Sequence, residues 1–115
     1  MRMREWLIVR SGGYWLAVAT EHVGGLRRVL AGESLPALAA LLGESSGGDE
    51  DRALLLRRPA GALPVGVGGA ELRADLQLLP LPPLVQGLTH PAITGLVLDQ
   101  CDAVPAVDPA QLPDL

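Results

Sequence analysis

Short apolar runs alternate along this chain with clusters of Gly, Pro and charge. Trp6-Leu7-Ile8-Val9 is aromatic and β-branched, and so is Tyr14-Trp15-Leu16-Ala17-Val18. Ser11-Gly12-Gly13 lies between them. Two such runs joined by a Gly-rich turn predict a β-hairpin. Val23, Leu26 and Leu30 fit a helical spacing, but each of Gly24 and Gly25 costs a helix about 1 kcal/mol. A single turn leading into a short strand over Leu26 to Leu30 fits equally well.

Leu35-Pro36-Ala37-Leu38-Ala39-Ala40-Leu41-Leu42 reads as one short helix near 35–42. Ser34 is placed to cap it, Pro36 tolerates an early helical position, and Gly43 can stop it. A polar, acidic loop follows over Glu44 to Asp51. Arg52 to Arg58 and Ala62 to Val67 then repeat the pattern of strand, tight turn, strand, with Pro59-Ala60-Gly61 between them. Ala70 to Leu79 reads as a turn and a strand, and Pro80-Leu81-Pro82-Pro83 as a stiff extended segment. Its P-x-x-P form resembles ligands of aromatic-lined grooves. Flanking leucines and the lack of a nearby Arg favour a buried crossover instead. Ile93 to Asp99 and Ala103 to Asp108 predict a closing hairpin, and Pro109 to Leu112 a final helical turn.

Short strands punctuated by Gly and Pro predict an all-β chain of small barrels rather than a βαβ sheet. Val-Gly-Gly recurs at Val23 and Val67, each time shortly before a Leu-Arg pair, which suggests two similar β lobes. At 115 residues the chain is one domain's worth. The acidic break need not divide it, because each half alone is too small to bury a core.

Charge and chemistry narrow the function classes. The net charge is −4 and lysine is absent. Arg2, Arg4, Arg10, Arg27 and Arg28 crowd the N-terminal part, whereas after Gly61 only Arg73 stands against six acidic residues. No basic stripe interleaved with aromatics is present, so no nucleic-acid partner is expected. The run from Leu76 to Leu98 lacks charge, but its prolines defeat a spanning helix, so no membrane insertion is expected. The N-terminus has no apolar stretch with a cleavage site, so no signal peptide is expected. The single cysteine, Cys101, forms no intrachain disulfide or cysteine-based zinc site, which fits a reducing, cytoplasmic compartment.

Catalytic motifs mostly fail. Gly66-Val67-Gly68-Gly69-Ala70-Glu71 begins like a dinucleotide fingerprint, but Glu71 stands in the place of the last Gly. Cys101 with His22 or His90 could make a nucleophile–base pair. The plainer reading makes Cys101 a small hydrophobe and the histidines turn residues. No His pair has ligand spacing, so no metal and no cofactor are expected, and the chain is read as non-enzymatic.

The order of these features resembles the CheW-like family, the coupling proteins of bacterial chemosensory arrays. The matching pieces are Trp6 to Val9, Gly12 to Val18 with Glu21-His22-Val23, Leu35 to Gly43, Ala53 to Leu56 and Leu63 to Val65. They continue through Leu79 to Pro83, Ile93 to Leu98, Val104 to Asp108 and Leu112. The resemblance implies two small, intertwined SH3-like barrel lobes over residues 1–115, roughly 1–45 and 50–115. It also implies an adaptor that bridges a chemoreceptor cytoplasmic tip and a histidine kinase regulatory domain, without catalysis. By position, Val23 and Leu26 on one lobe and Val65, Val67 and Gly69 on the other would border the receptor groove.

One departure shapes the expectation. The family's Asn-Leu-Arg-Gly stretch is missing, and only a few residues separate Leu30 from Leu35. The first lobe should therefore lack strands, with kinase coupling weakened or lost. Shortened members of this kind occur in gliding-motility systems. A missing strand leaves an open sheet edge near Leu26 to Leu30, suited to strand addition by a partner, another CheW-like protein or a second copy in a homodimer. The other reading left open by the residues is a small β-barrel ligand-sensing domain.

Overall fold

The strand at the N-terminus is buried on both faces, and this organises the molecule. The computed structural model describes residues 3–43, 50–82, 90–99 and 102–112. β1 spans Met3–Ser11 and β2 Tyr14–Ala19. They pair antiparallel from Trp6↔Ala19 to Ser11↔Tyr14, as the hairpin pattern predicts. Gly12 and Gly13 make the turn at φ of 58° and 84°, conformations that few other residues adopt without strain. Successive side chains of a strand point to opposite faces. Trp6 and Ile8 of β1 therefore enter one apolar cluster, while Leu7 and Val9 enter the other. Burial of each large side chain stabilises by about 1.5–3 kcal/mol.

A 3-10 turn at Thr20–His22 leads into β3, Val23–Arg28. The open alternative between helix and turn-plus-strand thus resolves as the second. The remaining strands are β4 (Arg52–Leu56), β5 (Leu63–Val67), β6 (Gly69–Pro80), β7 (Ile93–Asp99) and β8 (Asp102–Val107). Strands β1-β2-β8-β7-β6 close into a barrel, and β3-β4-β5 form a separate three-stranded sheet. The fold is all-β, with one closed barrel and one lobe short of strands. The two sheets interweave: the middle of the chain, 23–67, makes the three-stranded sheet, and the flanking segments make the barrel.

Trp6, Ile8, Ala17, Ala19, Val97, Val104 and Ala106 fill the barrel interior. Leu7, Val9, Leu16 and Val18 face the other way and pack with Leu54, Leu56, Val65 and Val67 of the sheet. β6 turns from β1 to β7 along its length and carries a bulge opposite Arg4 and Trp6, where Asp75 adopts a φ of 60°. β7 crosses β6 so closely at Gly95 that any Cβ there would overlap the Leu79 carbonyl oxygen.

Three local expectations need correction. α1 spans only Leu38–Leu41, because Pro36 and Ala37 are drawn into pairing with β5. The Gly66 N–H donates to the Pro36 carbonyl at 2.8 Å. The helix start is capped by Ser11 rather than Ser34: the Ala39 N–H donates to the buried Ser11 Oγ at 2.9 Å. The recurring Val-Gly-Gly is not a structural repeat, since Val23 opens β3 whereas Val67–Gly69 is the joint between β5 and β6. The closing hairpin forms as expected, and so does the final turn at Pro109–Gln111, capped by Asp108. Leu81 is buried, in keeping with a crossover. Residues 44–49 of the acidic loop, Pro83 and Cys101 lie outside the described residues. Among the described residues, no helix is long and apolar enough to cross a membrane.

Candidate partner-docking surface

The three-stranded sheet carries the candidate surface. Its rows follow from register: Leu26, Leu54 and Val65 oppose one another across β3, β4 and β5. Cross-strand partners face the same side. This row grades from 38% exposed at Leu26 to fully buried at Leu54 and Val65. The neighbouring row, Gly25–Leu55–Pro64, faces the opposite side, where Leu55 is 38% exposed. A shallow groove of about 230 Å³ is lined by Gly25, Leu26, Arg27, Ala53, Leu55 and Pro64. Its lining is apolar apart from Arg27.

The outer edge of this sheet is β3. The Val29 N–H donates to the Asp51 carbonyl at 2.9 Å, so Val29 faces β4. Counting back by twos, Arg27 and Gly25 also face β4, and the backbone groups of Leu26 and Arg28 point away from it. Every residue of β3 after Val23 is solvent-exposed. An edge of this kind is a template for strand pairing.

A side-chain clamp sits at its C-terminal end. Arg27 grips Glu33 in a two-pronged pair, both N–O distances 2.7 Å. Arg27 Nη1 also donates to the Arg28 carbonyl at 3.1 Å, occupying one of the outward acceptors. The Leu30 N–H donates to Glu33 Oε1 at 3.0 Å. The Arg27 guanidinium, and then the Leu30 amide, hold the Glu33 carboxyl down at about 2. The same bond to Glu33 raises Arg27. On the far edge of the sheet, β5 is covered by the Ala37↔Gly66 bridge.

The predicted site residues separate into two groups. Leu26 lines the groove, and Val23 is half-buried at the start of the same strand. Val65 and Val67 have no exposed surface; they support the sheet from beneath and present nothing to a partner in this conformation. Gly69 begins β6 beside Arg10, in the barrel rather than on the groove. Leu55 and Pro64 escape sequence reasoning. The uniform run Ala53-Leu54-Leu55-Leu56 lacks the alternation that would show which leucine faces out.

Of the candidate catalytic residues, Cys101 lies outside the described residues and the two histidines make local hydrogen bonds. His90 Nδ1 accepts from the Ala92 N–H at 3.0 Å, and the His22 carbonyl accepts from the Arg57 N–H at 2.7 Å. Among the described residues, no group of His, Cys, Asp and Glu could hold a metal ion.

Comparisons with known proteins bear on the fold. No protein-family model matches the sequence, and no curated protein matches it significantly. Among solved structures, the chain is similar to the scaffolding protein TtCheW from Thermoanaerobacter tengcongensis, at 11% sequence identity and a TM-score of 0.73. The match covers 96% of this chain and 87% of that one. The interwoven barrel and sheet described above are therefore the fold of a CheW scaffolding protein, carried by a sequence almost wholly different.

Proposed function

We propose that this chain is a non-catalytic adaptor of a bacterial chemosensory array, one that binds chemoreceptor cytoplasmic tips. The carrying observation is the match of nearly the whole chain to a scaffolding protein of that fold. The reduced lobe adds to it. A three-stranded sheet with an exposed β3 edge and an apolar groove offers strand pairing and side-chain contacts together. Leu26, with Val23 beside it, would contact the partner; Val65 and Val67 would hold the sheet in shape, and Gly69 would join the two lobes. Residues 1–115 act as one unit in this reading, because the lobes share β1's two buried faces.

Coupling to a histidine kinase regulatory domain is weakened or lost in this proposal. The stretch missing between Leu30 and Leu35 removes surface from the reduced lobe. A second copy, or another CheW-like protein, could use the same edge. The test is calorimetry of the full chain with a receptor signalling-tip fragment and, separately, with the kinase regulatory domain. Receptor binding without kinase binding supports the proposal. Binding to both restores an ordinary coupling protein, and binding to neither removes the adaptor reading.

A further inference from the structure

The shortest ladder of the barrel joins β2 to β8. β2 and β8 run parallel and pair only at Ala17↔Ala106 and Val18↔Val107. The parallel pattern makes the next rung toward the strand starts a bond from the residue 105 N–H to the Trp15 carbonyl. Residue 105 is proline and has no N–H to give. The ladder stops there and the strand starts splay apart. Trp15 lies across the Gly-Gly hairpin from Arg10, one step from the bonded Ser11–Tyr14 pair, so its backbone groups point away from β1 and into the splay. By the same alternation across the β7–β8 hairpin, the backbone groups of Ala103 point into it from the other side.

The splay opens into a groove of about 690 Å³ between the first hairpin and the β7–β8 hairpin. Two aromatic residues, Tyr14 and Trp15, line it, each 48% exposed. Its charged residues are Glu71, Arg73, Asp99 and Asp102. Arg73 lies 2.8 Å from Glu71 and 3.4 Å from Asp99, and Asp102 has no ion pair among the described residues. Three carboxylates against one guanidinium leave the groove acidic, and a half-exposed indole offers its face to a cation.

We propose that this seam is a second docking site, which takes an extended, basic segment of a partner protein. The segment adds as a strand against the backbone of Trp15 and Ala103. An arginine or lysine from it lies between the Trp15 ring and the Asp102 carboxylate. An acidic segment is repelled, and a neutral one lacks the charge partner. The site is separate from the β3 edge and does not depend on the adaptor reading.

The experiment is an amide-shift titration of the isotopically labelled full chain with two capped heptapeptides. One is Ser-Val-Arg-Val-Arg-Val-Ser and the other has Glu in place of each Arg. The Arg peptide should bind with shifts centred on the Trp15 and Ala103 amides, and the Glu peptide at least about tenfold more weakly. Asp102→Asn, an exposed change, should weaken the Arg peptide by about fivefold. Pro105→Ala restores the missing donor, lets the ladder continue, and should weaken binding although it touches no charge. If Pro105→Ala perturbs the fold, Trp15→Ala takes its place and should weaken the Arg peptide as well. Shifts mapping elsewhere, equal binding of both peptides, or unaltered affinity in the Asp102→Asn chain would each overturn the proposal.

Discussion

In the barrel, β1 has β2 on one side and β6 on the other along most of its length; in the three-stranded sheet, β3 has β4 on one side and solvent on the other. Both lobes nevertheless share one core, because Leu7 and Val9 of the barrel pack on Leu54 and Val65 of the sheet. The difference teaches where a small β domain can keep backbone groups available. Closure pairs β1 on both sides in the barrel, whereas the β2–β8 seam stops at Pro105 and leaves the groups of Trp15 and Ala103 open. The open sheet keeps its outward groups on β3 and guards them with the Arg27–Glu33 clamp.

The comparison breaks first if the lobes unfold independently. Trp6→Ala empties the barrel interior and Leu54→Ala the shared core, each costing about 3–5 kcal/mol. Both variants should lose barrel and sheet in a single transition, because β1 belongs to both clusters. Two resolved transitions in urea, followed by fluorescence and by far-ultraviolet dichroism, would show that the sheet stands alone.

Gly95→Ala comes next. It forces β7 away from the Leu79 carbonyl and should cost about 2–3 kcal/mol. A variant as stable as the wild type in thermal unfolding would mean that the β6–β7 crossing is loose. Ser11→Ala is milder. It leaves the Ala39 N–H without its acceptor at the junction of hairpin and helix, a loss of about 1–2 kcal/mol in the same assay.

The smallest effect concerns the clamp. The Glu33 pKa is depressed in the folded chain, from an ordinary 4.5 to about 2. Its contribution is therefore fully present above pH 4.5 and is lost as pH falls toward 2. The Glu33→Gln chain should lack this part of the acid dependence. The difference between the two stability–pH curves should therefore shrink from pH 5 to 2, while exchange at the β3 edge rises only in the wild type. Parallel curves would show that the pair contributes nothing.

Much of the fold is legible in the sequence, where the physics is local. Gly12-Gly13 between two apolar runs specifies its hairpin, and Pro59-Ala60-Gly61 marks the one that pairs Leu54 with Val65. Distant pairing is harder to read. Nothing near Ala17 signals a parallel partner at Ala106, and nothing near Pro36 signals that Gly66 will take its carbonyl and shorten the helix. The site is read in part. Leu26 is an apolar residue on the edge strand and lines the groove. Val65 and Val67 share its apolar character but face inward, and only the register distinguishes them from Pro64. The clamp is invisible for a related reason: Arg27 and Glu33 meet through a turn at Leu30 to Glu33, not through helical spacing.

Amide hydrogen exchange along β3, with and without a receptor signalling-tip fragment, tests the docking lobe most directly. In the free chain the outward Leu26 and Arg28 amides should exchange rapidly, and those of Gly25 and Arg27, which face β4, slowly. Saturating fragment should slow Leu26 and Arg28 while leaving the barrel strands unchanged. Protection confined to the barrel, with β3 unaltered when the fragment is bound, would contradict the account.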